Sequence, residues 1–305
     1  MVSALPALAP RPPDPQSGDT TREGLAAARL VHTVPVRIPF RGAQAAPADP
    51  TLVAPMSVPA KPELTGGRRV GVLVVHGFTG SPASMRPWAE DLAARGYAVE
   101  MPLLPGHGTR WQDCNKVTWS DWVATVERAF DRLAAENDAV VAVGLSMGAS
   151  LCLRLAADRG EELSGLALVN AAVDTLRKDA VLLPVLKRVV PAFPGIRNDI
   201  KKPGMDEIAY PVMPLKAAYE MSTGWAQLRR DLPKVTIPVL SFRSEDDHVA
   251  DISTSQALHA SLSSKDFEER VLEDSYHVAT LDNDAPRIFA ESAEFIERVT
   301  SEQQG

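Results

Sequence analysis

The run VAVGLSMGASLCLRLAA places Ser146 between Gly144 and Gly148. A serine on a sharp strand-to-helix turn needs neighbours without side chains. Such a turn lifts the hydroxyl clear of the backbone and aims a helix N-terminus at whatever it attacks. Here the motif lies between a strand-like apolar run and a helix-like one, the context that gives G-x-S-x-G meaning. Serine is a poor nucleophile alone; it needs a base to take its proton and a carboxylate to orient that base. On a turn of this kind the acid follows the serine in the chain, and the histidine follows the acid. Of the six histidines, His76 and His107 precede Ser146, and His32 lies in an aperiodic N-terminal stretch. His248 adjoins the acid candidates, and His259 reads as a helix-surface position. That leaves His277, in EDSYHVATLD, as the base candidate. VLSFRSEDDHVAD offers Glu245, Asp246, Asp247 and Asp251 as the acid, and spacing alone does not choose among them.

Acyl transfer also needs donors for a developing oxyanion. One is the N–H of the residue after the serine, Met147. The other comes from the loop after the first strand of the set, HGFTGSP, where Phe78 is placed to donate. The order rule excludes His76 as base and makes it structural. PGHGT at 105–109 reads as a tight turn in which His107 orders the loop. No histidine pair has zinc-ligand spacing and no phosphate-binding G-x-x-x-x-G-K-[ST] is present, so neither metal nor nucleotide is expected.

The elements that must hold these residues begin abruptly at residue 68. Apolar runs at 70–75, 97–101, 139–145, 166–169, 239–242 and 267–272 read as strands. Helical patterns fall at 84–95, 119–136 and from Met147 to Asp158; in the second, Trp122, Val126, Phe130 and Leu133 share one face. A last helix follows Asp284, a natural N-cap, with Pro286 in its first turn. Buried strands alternating with helices imply a mostly parallel sheet covered on both faces, an α/β architecture. The rhythm breaks between 173 and 236, which reads as a cap inserted over the strand C-terminal ends, where such sheets bind ligands.

The chain has 305 residues, 45% of them apolar, and a formal charge of −7. That balance favours neither nucleic acid nor an acidic membrane surface. No apolar run approaches the roughly 20 residues needed to span a bilayer. Cys114 and Cys152 are too few for a disulfide framework and read as reduced and structural. The first residues lack a basic start and a clean apolar core, so a cytoplasmic protein is expected. Twelve of the 25 prolines precede residue 63, and residues 1–62 read as a Pro/Ala-rich extension of the domain at 63–305. Met56 opens a second sensible start, and composition leaves both readings open.

HGFTGSPASMRPWAEDLAARGYAVEMPLLPGHGT, then GLSMG, then SYHVATLD, resembles the bacterial carboxylesterase and monoacylglycerol lipase family, thermostable bacillus-type carboxylesterases above all. The resemblance runs from about residue 70 to residue 299. It implies the α/β-hydrolase fold with an eight-stranded sheet and a small cap, hydrolysis of carboxylic esters, and no cofactor. It supports Ser146, His277, Phe78 and Met147 in the roles above. The family places a short apolar pair after its acid, which favours Asp247, followed by His248, Val249 and Ala250; the neighbouring Asp246 departs from the pattern. The implied partner is a small ester, with short to medium acyl chains or monoacylglycerols favoured. An acyltransferase or thioesterase with the same triad is the alternative, and a non-catalytic binding protein of this fold a distant one.

Overall fold

Alternation along each strand decides which side chains meet which layer. In β2 (Val70–Val75), Leu73 and Val75 join one apolar cluster, while Val70, Val72 and Val74 join another. β4 (Ala139–Leu145) splits in the same way, as strands buried on both faces must. The computed structural model describes residues 49–301. In chain order the first elements are α1 (Pro50–Val53), β1 (Met56–Val58), β2, α2 (Arg86–Ala94), β3 (Ala98–Met101), α3 (Trp111–Cys114), α4 (Trp119–Glu136), β4, α5 (Met147–Arg159) and β5 (Gly165–Val169). They are followed by α6 (Leu183–Val189), β6 (Ala192–Pro194), β7 (Val212–Pro214), α7 (Leu215–Asp231), β8 (Val239–Ser244), α8 (Ser253–Ser261), β9 (Phe267–Leu272) and α9 (Ala285–Ser301).

The main sheet runs β1-β3-β2-β4-β5-β8-β9. Every pairing is parallel except β1 with β3. Residues of α4, α5 and α7 fill the cluster on one face; those of α2 and α9 fill the other. α4 starts from a capping box of Thr118 and Asp121 and buries Trp122, Val126, Phe130 and Leu133, the face its spacing predicts. Across the other layer, Trp88 Nε1 donates to Ser292 Oγ at 3.0 Å, tying α2 to α9.

Three expectations are corrected. The main sheet has seven strands among the described residues, not eight; β6 and β7 pair only with each other, as a short ribbon inside the insertion. The extension read as reaching residue 62 ends sooner, because Met56–Val58 pairs with Met101–Val99 and Arg86 binds the carbonyls of Leu52, at 3.2 Å, and Ala54. The Asp284 carboxylate does not cap α9; it accepts from Asp274 N at 3.0 Å and Ser275 Oγ at 2.9 Å. Within the insertion, Val181, Leu182, Val185 and Val189 are exposed. α6 packs against α7, and Val185 and Val189 stay on its exposed side.

Candidate active site

Ser146 stands at the junction of β4 and α5 with φ 55° and ψ −119°, a conformation costing about 1–3 kcal/mol for a residue with a Cβ. The surroundings enforce it. A Cβ on Gly148 would lie 2.1 Å from the Val75 carbonyl oxygen, and one on Gly144 would lie 2.6 Å from the Gly148 carbonyl carbon. Only glycine lets the turn nest against β2. Ser146 N donates to Val169 O at 3.0 Å, fixing the turn to the end of β5. Ser146 is only 9% exposed, and its Oγ makes no hydrogen bond among the described residues. The loop after β2 faces it, with a Cβ on Gly77 falling 3.4 Å from Ser146 Cβ. In that loop Phe78 is half-buried, and Met147 opens α5 fully buried. Neither the Phe78 nor the Met147 N–H donates a hydrogen bond among the described residues, so both donors remain available to an incoming oxygen.

The loops after β8 and β9 bring Asp247 and His277 together. His277 Nδ1 and Asp247 Oδ2 lie 2.8 Å apart, and both side chains are nearly sealed from solvent. Asp247 Oδ1 accepts the N–H groups of Val249 and Ala250, each at 2.8 Å, which locks its rotamer. Asp246 and Glu245 are exposed. Asp251 is a brace: it accepts from Leu176 N at 2.7 Å, Thr175 Oγ1 at 3.1 Å and Ser253 N at 2.9 Å. Burial works against a charged His277 ring, but the Asp247 charge and hydrogen bond, then Glu207 and Asp199, outweigh it and raise its pKa. The arrangement can take a proton from a hydroxyl and stabilise the imidazolium that results.

The other titratable candidates are elsewhere or inert. His76 is fully buried, with Nδ1 on Gly77 O at 2.9 Å and Nε2 accepting from Leu104 N at 3.1 Å. Burial and the neighbouring His107 push its pKa down to about 3. His107 stacks on Tyr210, and burial holds it neutral, with a pKa of about 4. His259 is exposed beside Glu269; His32 lies outside the described residues. Both cysteines are free and buried, the Cys114 thiol pushed up to about 12 by burial. Among the described residues no group of three or more His, Cys, Asp or Glu could hold a metal ion.

Three supporting residues were missed in the sequence. Asn170 follows β5 with φ 43°; its Nδ2 donates to His277 O at 2.8 Å, Tyr276 O at 3.3 Å and Ser244 Oγ at 2.9 Å, and its Oδ1 accepts from Ser244 N at 2.7 Å. A polar residue directly after a buried strand, of a type that tolerates positive φ, was the available signal. Asp199 reaches in from the insertion: Oδ2 accepts from His277 N at 3.1 Å, and Oδ1 pairs with His248 Nδ1 at 2.8 Å. Tyr210, also from the insertion, donates its N–H to Thr79 O at 3.0 Å and its hydroxyl to Gly106 O at 2.7 Å. Neither of these two carries a local sequence signal, because each acts across the fold.

A family model described as serine aminopeptidase, S33, matches residues 67–284, a span that takes in the serine turn, the acid loop and the histidine loop. The chain belongs to this family. This S33-family hydrolase is 38% identical over 236 residues, 77% of its own chain and 94% of the relative's, to a thermostable monoacylglycerol lipase of Bacillus sp. (strain H-257). It is 25% identical over 246 residues to a carboxylesterase of Bacillus subtilis (strain 168), covering 79% of this chain and 98% of that one. A solved structure from work on two metagenome-derived lipolytic enzymes, LipS and LipT, superposes with a TM-score of 0.76 at 38% identity, over 81% of this chain and 98% of that one. The α/β-hydrolase fold and the kinship with bacterial carboxylesterases and monoacylglycerol lipases, read from the motifs, are borne out.

Proposed function

We propose that the enzyme hydrolyses small carboxylic esters, monoacylglycerols among them, through an acyl-enzyme on Ser146. The observation that carries this reading is the convergence of a strained, unbonded Ser146 hydroxyl, two free N–H groups and an Asp247–His277 pair at the C-terminal edge of one sheet. Ser146 Oγ attacks the ester carbonyl as His277 takes its proton. The C=O π electrons move onto oxygen, and the Phe78 and Met147 N–H groups donate hydrogen bonds to the oxyanion so formed, each such donor contributing about 3–4 kcal/mol. Collapse expels the alkoxide, which leaves with the proton from His277. A water, deprotonated by the same imidazole, then releases the acid. Asp247 holds the imidazole ring and stabilises its charged form without itself taking the proton.

The relatives' named activities, a monoacylglycerol lipase and a carboxylesterase, support the ester class. The short insertion supports short to medium acyl chains, each buried methylene adding about 0.8 kcal/mol. Steady-state kcat/KM across p-nitrophenyl esters from acetyl to palmitoyl, with monoacylglycerols alongside, tests this. A rise to a maximum at intermediate length is expected, and efficient hydrolysis of emulsified triolein contradicts it. Cytoplasmic residence belongs to the same proposal, supported by two buried free cysteines; no described helix is long and apolar enough to cross a membrane.

A further inference from the structure

We propose that a second pocket, remote from Ser146, binds a phosphate-bearing anion and thereby ties the insertion to the body. The pocket, about 400 Å³, lies between α6, the start of α7 and the loop entering α4. Lys116, Lys187, Arg188 and Lys216 line it against one carboxylate, Glu220. That is a local excess of positive charge on a chain whose formal charge is −7.

Some of the most buried cations elsewhere in this molecule are closely paired. Arg154 is met by Asp158 and Asp231, and Arg159 by Asp131 and Glu162. In the pocket, Arg188 and Lys216 meet no carboxylate among the described residues. Lys187 Nζ lies 3.0 Å from the Tyr219 ring centroid, a contact that leaves its charge unneutralised. Only Lys116 has an acid, Asp113 at 2.7 Å. Two long helices also begin here. Thr118 caps α4, and Asn115 Oδ1 accepts the N–H groups of Lys216 and Ala217 at 2.9 and 3.2 Å at the start of α7. Their dipoles add positive potential to the same place.

Two unpaired cations, Arg188 and Lys216, with Lys187 and Lys116 also lining the pocket, suit a compact anion of more than one charge. The Arg188 fork can bind two phosphate oxygens, and each ammonium can bind one as a point charge. A single carboxylate would leave most of the repulsion in place. Lys116 and Thr118 belong to the body, whereas Lys187, Arg188 and Lys216 belong to the insertion, so a bound phosphate bridges the two. Asn115 already links them, its Nδ2 donating to Pro191 O at 2.8 Å. The ligand adds to that link and favours the folded state by linkage.

The test uses the full chain in a non-phosphate buffer, with ionic strength held constant by sodium chloride. Inorganic phosphate at 20 mM should raise Tm by about 3–6 °C, as expected for a millimolar site on a domain of this size. Chloride of equal ionic strength should not. The double variant Arg188→Gln/Lys216→Gln alters side chains that are both exposed; it should keep basal kcat/KM for a small ester and lose at least two-thirds of the shift. Lys116→Gln/Arg188→Gln gives a second, independent pair. Flotation with phosphatidylglycerol and phosphatidylcholine vesicles identifies the source. Charge-dependent vesicle binding, weakened about tenfold in the double variant, assigns the site to a lipid headgroup. A phosphate shift without vesicle binding assigns it to a free phosphate ester. No response in either arm, or an equal response of wild type and both double variants, overturns the proposal.

Discussion

Asp247 accepts hydrogen bonds from His277 Nδ1 and from the amides of Val249 and Ala250, while the Asp246 carboxylate beside it stands exposed. That contrast ranks the two as the base's partner. Asp247→Asn should lower kcat by about 10³–10⁴, as loss of the imidazole's orienter does in related triads. Asp246→Asn should change it by less than about tenfold, because a solvated carboxylate does little for a buried ring. Turnover of both variants on one p-nitrophenyl ester decides, and the reverse ranking contradicts the assignment. The pH profile follows from the raised pKa of His277. In the proposed mechanism His277 must be neutral, so kcat/KM falls as pH drops through that pKa, with an inflection above the ordinary 6.5. Glu207 contributes to the rise, so Glu207→Gln should move the acid limb to lower pH. A limb that stays or moves upward would show that Glu207 does not act on the ring. Chain order picked out Ser146 and His277 as candidates, but it could not separate adjacent aspartates. That choice depends on which carboxylate the loop after β8 turns inward.

At the scale of elements, the legible parts were those in which local pattern and global role coincide. β2, β4, α4 and β9 match the predicted ranges residue for residue, since each is an uninterrupted apolar or amphipathic run with clear ends. α7 escaped because Ser222, Thr223 and Gly224 sit in mid-helix, where such residues are weak helix formers. The tertiary reason for Gly224 is the Trp119 ring, which a Cβ there would meet at 2.2 Å. Gly224→Ala therefore gains helix propensity yet should lower Tm by about 2–12 °C, the effect of overpacking a helix contact by about 1–3 kcal/mol. An unchanged or higher Tm would mean that α7 shifts freely on α4. Asn170 joins the ends of β5 and β8 to the histidine loop. Asn170→Ala leaves buried groups unpaired at a cost of about 2–3 kcal/mol and should lower Tm by about 4–10 °C. It should also reduce kcat more than it raises KM, since the base is displaced rather than the substrate site. A pure stability loss with normal kcat would make Asn170 structural only.

For the whole molecule, the layered α/β architecture was readable because a parallel sheet buried on both faces writes itself as short apolar runs at regular intervals. The insertion was readable only as an interruption. Its contacts with the loop after β2 through Tyr210 and with the loop after β9 through Asp199 join residues far apart in the chain, which no local pattern encodes. The N-terminal boundary follows the same logic. Residues 50–58 lack a strong pattern, yet they supply an edge strand and two carbonyls for Arg86. Compared with a protein beginning at Asp49, one beginning at Met56 should melt several degrees lower, having lost the Arg86 acceptors; scanning calorimetry of the two forms checks this, and equal melting contradicts it. The proposed hydrolysis rests on one covalent bond, between Ser146 Oγ and the acyl group. Wild-type enzyme and Ser146→Ala are treated with a fluorophosphonate, and the adduct is located by peptide mass spectrometry while ester turnover is followed in parallel. One adduct on Ser146, with turnover lost in step with labelling and lower by about 10⁵–10⁶ in the alanine variant, is the predicted result. Labelling at another residue, or an alanine variant that still labels and turns over, would contradict the mechanism.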